Sequence, residues 1–533
     1  MTARILLLFP RVEPDQPDRD KLLGLPLAPL TLARSLIEHG YDVLAVDQNV
    51  DPGIAGRLGS MERPLWVGLS IIGGWQIRTG LSLARRIRRR WPDVPIVWGG
   101  WNPTLLAHLY EAPHLAPWVD VVVRGRAEVT AVELSDRLRD GRGLDGIAGL
   151  SHRSGGGDLV REPDRPTAPD PSHALLPYHL IDDPDAYITA QGLVNYMSSH
   201  GCPHRCGFCG IPVGTRTFRP LETELVVEQV AELKQRGSGT VLFYDDNFFT
   251  QKARVVDLAR RLLESGLGIE WYSNGRLDQV LAFDENELRL LVASGCRSVN
   301  VGYETGDQQV ADGVHKDIDV ESVYEAARRF AAVGLHLSLN FMVGLPGETP
   351  QSLVRSLETL KRIHAIQPDM DVCWYMFMAA PGTELWHRLI DEGQLTDPAT
   401  LEEHARLQPL FLELPWYYPP PPRSVFRPDR RELQAIVWCF YQAYAAAEPG
   451  LPWRPYFRLL RRWCKWRYEG RRFGLWLDWR LFERAFVART ALRNLRAAAG
   501  RSAPWRAIAA RLGPRRQGAR PSYAPLTGLH RGT

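Results

Sequence analysis

Short apolar runs alternate with amphipathic stretches along the first 150 residues. The runs at 4–9, 41–46, 66–71, 95–98 and 120–123 have the length and continuity of strands buried on both faces. Between them, residues 27–39, 76–91 and 128–139 space their apolar positions as helices do, and Gly40 stands where a helix C-cap glycine belongs. Five strands alternating with helices predict a parallel, doubly wound sheet, a flavodoxin-like (Rossmann-type) α/β domain over residues 1–150. Ligands of such sheets bind beyond the carboxyl ends of the strands, where residues 70–74, 99–104 and 124–128 fall. Two of these loops carry paired glycines, which let a large flat ligand approach the backbone.

The pattern changes at residues 151–190. Residues 152–162 predict a hairpin turning on 155–157, and the Pro- and Asp-rich stretch 163–185 predicts an extended linker. A second βα series then begins, with strands expected at 193–198, 240–244, 270–273, 298–302, 337–342 and 371–376. Amphipathic helices fall between them, including 222–235, 252–264 and 320–333. Six βα units over 191–390 predict a partial (β/α)6 TIM-type barrel with its active site at the C-terminal strand ends. Residues 391–499 form a helical, aromatic-rich C-terminal region with a Pro-rich break at 416–422. There Trp438, Trp453, Trp463, Trp466, Trp476 and Trp479 read as helix-packing core, with a substrate-facing surface for some of them as the alternative. The Arg-, Gly- and Pro-rich stretch 500–533 reads as a disordered tail.

Composition narrows the function classes. The 533 residues are 45% hydrophobic, enough for two or three cored domains. A net charge of +4 argues against a nucleic-acid partner, although arginines thicken after residue 451. No stretch reaches the length of a membrane span, and the apolar run at 5–9 is too short for a signal peptide, so a cytoplasmic location is expected. Seven cysteines, an odd number with three crowded together, do not make a secreted disulfide framework.

The crowded three lie in Gly201-Cys202-Pro203-His204-Arg205-Cys206-Gly207-Phe208-Cys209, directly after a predicted strand. Three thiolates on one short loop can hold three irons of a 4Fe–4S cluster and leave the fourth iron open. A zinc site with His200 or His204 as fourth ligand is the other chemistry for this triplet. Zinc more often takes paired Cys-x2-Cys knuckles, and the remaining cysteines form no pair. Cys296, Cys373, Cys439 and Cys464 read as small core residues, with a hydrogen-donor role for Cys373 as the alternative.

At the triplet the chain resembles the radical S-adenosylmethionine superfamily. The match extends to Phe243-Tyr244-Asp245-Asp246-Asn247-Phe248, Ser273-Asn274-Gly275-Arg276, Gly302-Tyr303-Glu304-Thr305-Gly306, Gly344-Leu345-Pro346-Gly347-Glu348-Thr349 and Ala380-Pro381-Gly382-Thr383-Glu384-Leu385. With Pro29-Leu30, Gly99-Gly100 and Arg124-Gly125 in the N-terminal series, the whole is similar to the cobalamin-dependent branch, the class B radical SAM methyltransferase-like enzymes, over roughly residues 3–390. Two loops depart from the usual forms: Gly99-Gly100-Trp101-Asn102-Pro103-Thr104 and Arg124-Gly125-Arg126-Ala127-Glu128. No Asp of the N-terminal region is followed two residues later by His, so a histidine lower ligand to cobalt, such as His39, His108 or His114, is not expected.

The resemblance implies three cofactors: a 4Fe–4S cluster on Cys202, Cys206 and Cys209, S-adenosylmethionine, and cobalamin. It places Asp245, Asp246, Arg276 and Glu304 on S-adenosylmethionine, where Arg276 suits a carboxylate. It places Ser70, Gly99, Gly100 and Gly125 on cobalamin. The alternative for the charged residues is mutual pairing on barrel loops. Gly344–Gly347 shapes a turn near the adenine, and Glu348 could equally cap the helix opened by Thr349-Pro350. The implied reaction is methylation of an unactivated carbon through a 5′-deoxyadenosyl radical and methylcobalamin. Ring contraction or oxidative cyclisation with the same cofactors is the runner-up, and a non-catalytic cobalamin or iron–sulfur sensor is the third reading. The expected partners are a small molecule or peptide of secondary metabolism and an electron donor such as flavodoxin or ferredoxin. The sequence identifies neither the substrate nor a catalytic acid or base.

Overall fold

The computed structural model describes residues 3–12, 24–154, 156–166, 176–180, 187–188, 192–214, 216–407, 433, 436–437, 439–440 and 454–474. Two parallel sheets dominate them.

The first sheet comprises β1 (Arg4–Phe9), β2 (Asp42–Asp47), β3 (Trp66–Ser70), β4 (Ile96–Gly99), β5 (Val121–Val123), β6 (Leu150–Arg153) and β7 (Leu159–Arg161), in the order β2-β1-β3-β4-β5-β6-β7. β1–β5 are parallel in the 2-1-3-4-5 order of flavodoxin-like folds. Their apolar continuity has the expected cause, because both faces are covered. Leu6, Leu8, Val67 and Leu69 pack toward the helix Trp75–Arg90, while Ile5, Leu7, Trp66 and Val97 pack toward the helices Leu27–Glu38 and Glu128–Arg139. The Trp66 indole also donates to Ser135 Oγ at 2.9 Å.

The hairpin does not stand apart as a linker element. β6 pairs antiparallel with β5, and β7 with β6, so the sheet continues past residue 150. The start of the expected linker is tied down too. Gly149 N donates to Pro163 O at 2.7 Å, and Arg165 donates to Thr130 Oγ1 at 2.8 Å.

The second sheet is six parallel strands: β8 (Leu193–Tyr196), then, after the two-residue strands β9 (Ser199–His200) and β10 (Arg219–Pro220), β11 (Thr240–Phe243), β12 (Glu270–Arg276), β13 (Cys296–Glu304), β14 (His336–Val343) and β15 (Asp371–Met376). Their order β15-β14-β13-β12-β11-β8 is that of a barrel left open between its first and last strands. One face of these strands is apolar and packs on the surrounding helices. Trp271, for example, lies against Phe243 and Phe248 with ring centroids 5.7 and 5.6 Å away. The other face carries Asn195, Tyr272, Asn274, Asn300, Ser338, Asn340 and Cys373. Most of these are half-buried, and Asn300 bridges Asn274 and Ser338. A closed barrel fills that face with branched apolar side chains. Here it is polar.

The sheets are joined through side chains as well as sequence. Leu25 and Leu30 belong to the barrel's core, Leu25 N donates to Asn195 Oδ1 at 2.6 Å, and the Tyr187 hydroxyl donates to Asp47 Oδ2 at 2.8 Å. Beyond the barrel, the described part of the C-terminal region includes the helix Arg454–Glu469, whose Cys464 and Tyr468 complete the same core. Trp463 and Trp466 of that helix correct the expectation of buried tryptophans. They are 41% and 45% exposed, and they stack on each other at 5.0 Å. Trp438, Trp453, Trp476, Trp479, the Pro-rich break at 416–422 and residues 500–533 lie outside the described residues. Among the described residues no helix is long and apolar enough to cross a membrane.

Backbone geometry at one turn makes a sharp demand. Gly295 precedes β13 with φ of +103°, and a Cβ there would come within 2.1 Å of Ile269 O. Gly237 has φ of +100° but nothing within 4 Å of an added Cβ. Gly237→Ala should therefore lose only the left-handed backbone penalty, about 1–3 kcal/mol. Gly295→Ala should lose clearly more, read as a larger drop in thermal midpoint; equal drops would show that the Ile269 contact constrains nothing.

Candidate functional site

The cysteine loop runs from β9 across the C-terminal ends of the barrel strands, and two adjacent carboxylates hold it there. Asp245, just after β11, is 3% exposed and accepts hydrogen bonds from Ser198 N and Ser198 Oγ, both at 2.7 Å, and from Ser199 Oγ. Burial pushes its pKa up to about 6 against the pull of those donors. Asp246 accepts from Gly201 N at 2.7 Å. The expectation that Asp245 faces S-adenosylmethionine is thus corrected. Both of its oxygens are spent on the segment leading into Cys202, so it acts as a support. Asp246 keeps one oxygen outside that bond, and the field of Arg126, from the loop after β5, reaches it.

The thiols themselves suit a bound metal group. Cys202 is buried, and burial pushes the Cys209 thiol up to about 12. A thiolate there needs cationic compensation, which bound iron supplies. Among the described residues, the one group of three or more His, Cys, Asp or Glu ligand atoms drawn within 4.8 Å of one another is Asp145, His152 and Glu162. His204 Nε2 lies 3.1 Å from Gln279 Nε2, facing an amide.

Two donors point at the sulfurs. Arg276 Nη1 lies 3.3 Å from Cys206 Sγ, and Asn247 Nδ2 lies 3.7 Å from Cys202 Sγ. Arg276 Nε also donates to Asp278 Oδ1 at 3.1 Å, and Nη2 to Lys316 O at 2.6 Å. The guanidinium thus serves a cluster thiolate and the 316 loop, while the second Nη1 hydrogen lies outside these bonds and leaves the expected carboxylate contact open.

Glu304 sits where the β13–β14 register shifts, with φ of +69°. Its side chain folds back over Gly302, and Oε1 accepts from Lys316 Nζ at 3.0 Å. Its Oε2 is buried without a hydrogen-bond partner, as are Asn340 Oδ1 and Asn247 Oδ1. Three orphaned buried acceptors are costly unless a ligand supplies donors. An amino acid ammonium and ribose hydroxyls do so, which fits S-adenosylmethionine. Lys316 was missed by sequence reading. It lies between His315 and Asp317, both with φ of +53°, and no local pattern marks it. Glu348 is no cap: its Oε2 accepts from Gly344 N, closing the glycine turn, while Thr349 caps the helix Pro350–Ile366.

The loops after β3, β4 and β5 face this site. A Cβ added to Gly210, next to Cys209, would come within 2.5 Å of Trp101 Cζ2, so the edge of the Trp101 ring lies against the cluster loop. The carboxyl ends of both parallel sheets therefore open toward one another. A Cβ at Gly125 (φ +74°) would meet nothing within 4 Å, and at Gly99 nothing nearer than 3.8 Å, leaving backbone open to a flat ligand such as a corrin. Gly100 differs. Its Cβ would strike Ile71 O at 2.8 Å and Ile71 N at 2.9 Å, so its glycine serves loop packing. Ser70 ends β3 half-buried beside Gly100.

A further histidine, outside every motif, reaches this region. Fully buried His404, on the helix Leu401–Leu407, has Nε2 3.1 Å from Asn102 Nδ2, and Tyr110 donates to Asn102 Oδ1 at 2.7 Å. With the amide donating to Nε2, the ring's proton sits on Nδ1. Burial, assisted by His108, lowers the His404 pKa to about 4.

Comparison with known proteins agrees with this arrangement. The radical SAM superfamily profile matches residues 196–360, and the B12 binding domain profile matches residues 21–135. An uncharacterized methyltransferase of Pyrococcus horikoshii is 29% identical over 409 residues, 74% of this chain and 84% of that protein. The anaerobic magnesium-protoporphyrin IX monomethyl ester cyclase of Rubrivivax gelatinosus is 26% identical over 323 residues, covering 60% of this chain but only 56% of that longer protein. Among solved structures, the radical S-adenosylmethionine methyltransferase TsrM of Kitasatospora setae, with cobalamin and a 4Fe–4S cluster bound, superposes with a TM-score of 0.62 over 87% of this chain and 99% of that one. At 17% identity that likeness speaks for the fold.

Two outcomes follow from the geometry. Cys206→Ala should abolish the visible iron–sulfur absorbance and all 5′-deoxyadenosine release, since one thiolate of three is lost. Stoichiometric zinc with no iron in anaerobically prepared wild type would refute the assignment. The second outcome concerns His404, which stays neutral in the fold to about pH 4 while an unfolded imidazole protonates near 6.5. Its contribution is present above pH 6.5 and is lost as the pH falls, by roughly 2 kcal/mol between pH 6.5 and 5. The fall in urea midpoint from pH 7 to pH 5 should shrink in His404→Gln; an unchanged fall would place the sensitivity elsewhere.

Proposed function

The chain belongs to the radical S-adenosylmethionine enzymes that carry an N-terminal B12-binding domain, and from that premise we propose that it methylates an unactivated carbon of a small molecule or peptide. The observation that carries the reading is the opposition of two parallel sheets, one ending in open glycine backbone, the other in the cysteine loop above a polar inner strand face. When bound, the cluster and S-adenosylmethionine supply a 5′-deoxyadenosyl radical, and cobalamin supplies the methyl group.

The protein's share is binding and positioning. Cys202, Cys206 and Cys209 hold the cluster, with Arg276 and Asn247 donating to two of the sulfurs. Glu304, Asn340, Asn247 and Asp246 take the ammonium and hydroxyls of S-adenosylmethionine. Gly99, Gly125 and Ser70 line the corrin face, and Trp101 fills the gap toward the cluster loop. The amide-lined wall of Asn274, Asn300 and Asn340 orients a substrate that carries hydrogen-bonding groups of its own. Orientation between two fixed cofactors is the contribution a protein can make to a radical transfer. An electron donor of the flavodoxin or ferredoxin kind, in the cytoplasm, completes the cycle.

Oxidative cyclisation on the same cofactors is the second reading, favoured by the likeness to the Rubrivivax gelatinosus cyclase. Product stoichiometry separates the two. Methylation should release 5′-deoxyadenosine and S-adenosylhomocysteine in nearly equal amounts, with the substrate gaining one methyl mass. Steady turnover that yields 5′-deoxyadenosine alone would transfer the assignment to the cyclising class.

A further inference from the structure

We propose that Asp145, His152 and Glu162 form a second metal site, for a divalent transition ion of the zinc class, at the base of the β6–β7 hairpin. His152, on β6, is 3% exposed, and its Nε2 is buried without a hydrogen-bond partner. That nitrogen lies 3.6 Å from Asp145 Oδ1 and 3.6 Å from Glu162 Oε1, and all three atoms fall within 4.8 Å of one another. A separation of 3.6 Å is too long for a hydrogen bond, which ends near ~3.2 Å for nitrogen and oxygen. It matches the edge of a coordination tetrahedron, because ligands about 2.0–2.2 Å from zinc stand about 3.3–3.6 Å apart.

The surroundings are built to hold this shape. Glu162 is fixed by its backbone, with N donating to Leu150 O at 2.9 Å, and by Gly146 N donating to its Oε1 at 2.7 Å. Gly146 has φ of +84°, which lets the turn carry Asp145 to the mouth of the group. The Asp145 side chain is 78% exposed, so an ion has an entry path and water has access to a fourth position. Two carboxylates meeting over one unbonded imidazole call for a cation between them. One nitrogen and two oxygens, with no thiolate, suit zinc or manganese(II) and disfavour copper(I). The site lies beside the C-terminal end of β5, since Glu162 N donates to Leu150 O, Leu150 pairs with Val123, and Glu162 O accepts from Arg124 Nη2. Its role is a clip: it fastens the turn before β6 to the residue where the chain leaves the first sheet.

The test uses the holoprotein, so that the cluster already occupies the three cysteines. After chelator treatment it is titrated with zinc by calorimetry, with iron content and visible absorbance followed in parallel. Wild type should take up one equivalent of zinc and gain thermal stability, with iron unchanged. Asp145→Asn, exposed enough to fold normally, and His152→Gln should each lose that equivalent and the stability gain. No zinc uptake by wild type, or uptake that both variants retain, would overturn the site and leave the three residues as a charge cluster only.

Discussion

Two neighbouring carboxylates on the strand beside the cysteine loop set the geometry on which the rest depends. Asp245 gathers the amide and hydroxyl of Ser198 and the hydroxyl of Ser199, and Asp246 takes the amide of Gly201. Four donors from consecutive turns of chain are thereby bound to a single point after β11, immediately ahead of Cys202. Desolvating a carboxylate is expensive, and it is tolerated because its lone pairs are filled by groups that would otherwise be orphaned themselves. The loop that must present three sulfurs at fixed spacing therefore has little freedom at its entrance. At its far side Arg276 and Asn247 reach two of those sulfurs, and Trp101 closes on Gly210.

The same economy explains why strained backbone collects on one side of the barrel. Glu304, His315 and Asp317 are non-glycine residues with positive φ, within fourteen positions of chain and linked through the Lys316–Glu304 ion pair. Such conformations persist where surrounding contacts over-determine them. Here the contacts are specific: Lys316 Nζ on Glu304, Lys316 O on Arg276, and the Arg205–Asp317 pair on the outside. Strain at β13 is thus coupled to the arginine that serves Cys206.

What the sequence made legible was whatever chemistry is local. The strands and helices of both sheets follow from apolar period, with ends displaced by a residue or two. The cysteine loop is visible because its three ligands lie within eight positions. Asn247 stood inside a recognisable motif, although its contact to sulfur was not foreseen. Contacts made across long stretches of chain were hidden. Lys316 sits in a loop without pattern, and His404 reaches Asn102 from 302 positions away. The hairpin joined the first sheet because β5 offered an unpaired edge, a fact about strand order that periodicity does not carry. Trp463 and Trp466 read as core because tryptophan usually is. Their helix instead turns them outward, where they shield each other. The role of Asp245 was displaced from cofactor to scaffold for one reason: a charged residue beside a ligand pocket can serve the pocket's wall, and residue type alone does not distinguish the two.

The Asn102–His404 contact also bears on the order in which the protein is made. The first sheet is complete in sequence once Arg161 has left the ribosome, so its strands can pair while the barrel is still being synthesised. Asn102, just after β4, must then wait for His404. At about 5–20 residues per second, that interval is on the order of ten to fifty seconds. During it the nascent B12-side sheet exposes the surface of the helix Trp75–Arg90 that Leu401 and Ala405 later cover. Translation thus imposes a sequence on assembly, in which the segment after β4 is finished last, by a residue supplied from beyond the barrel.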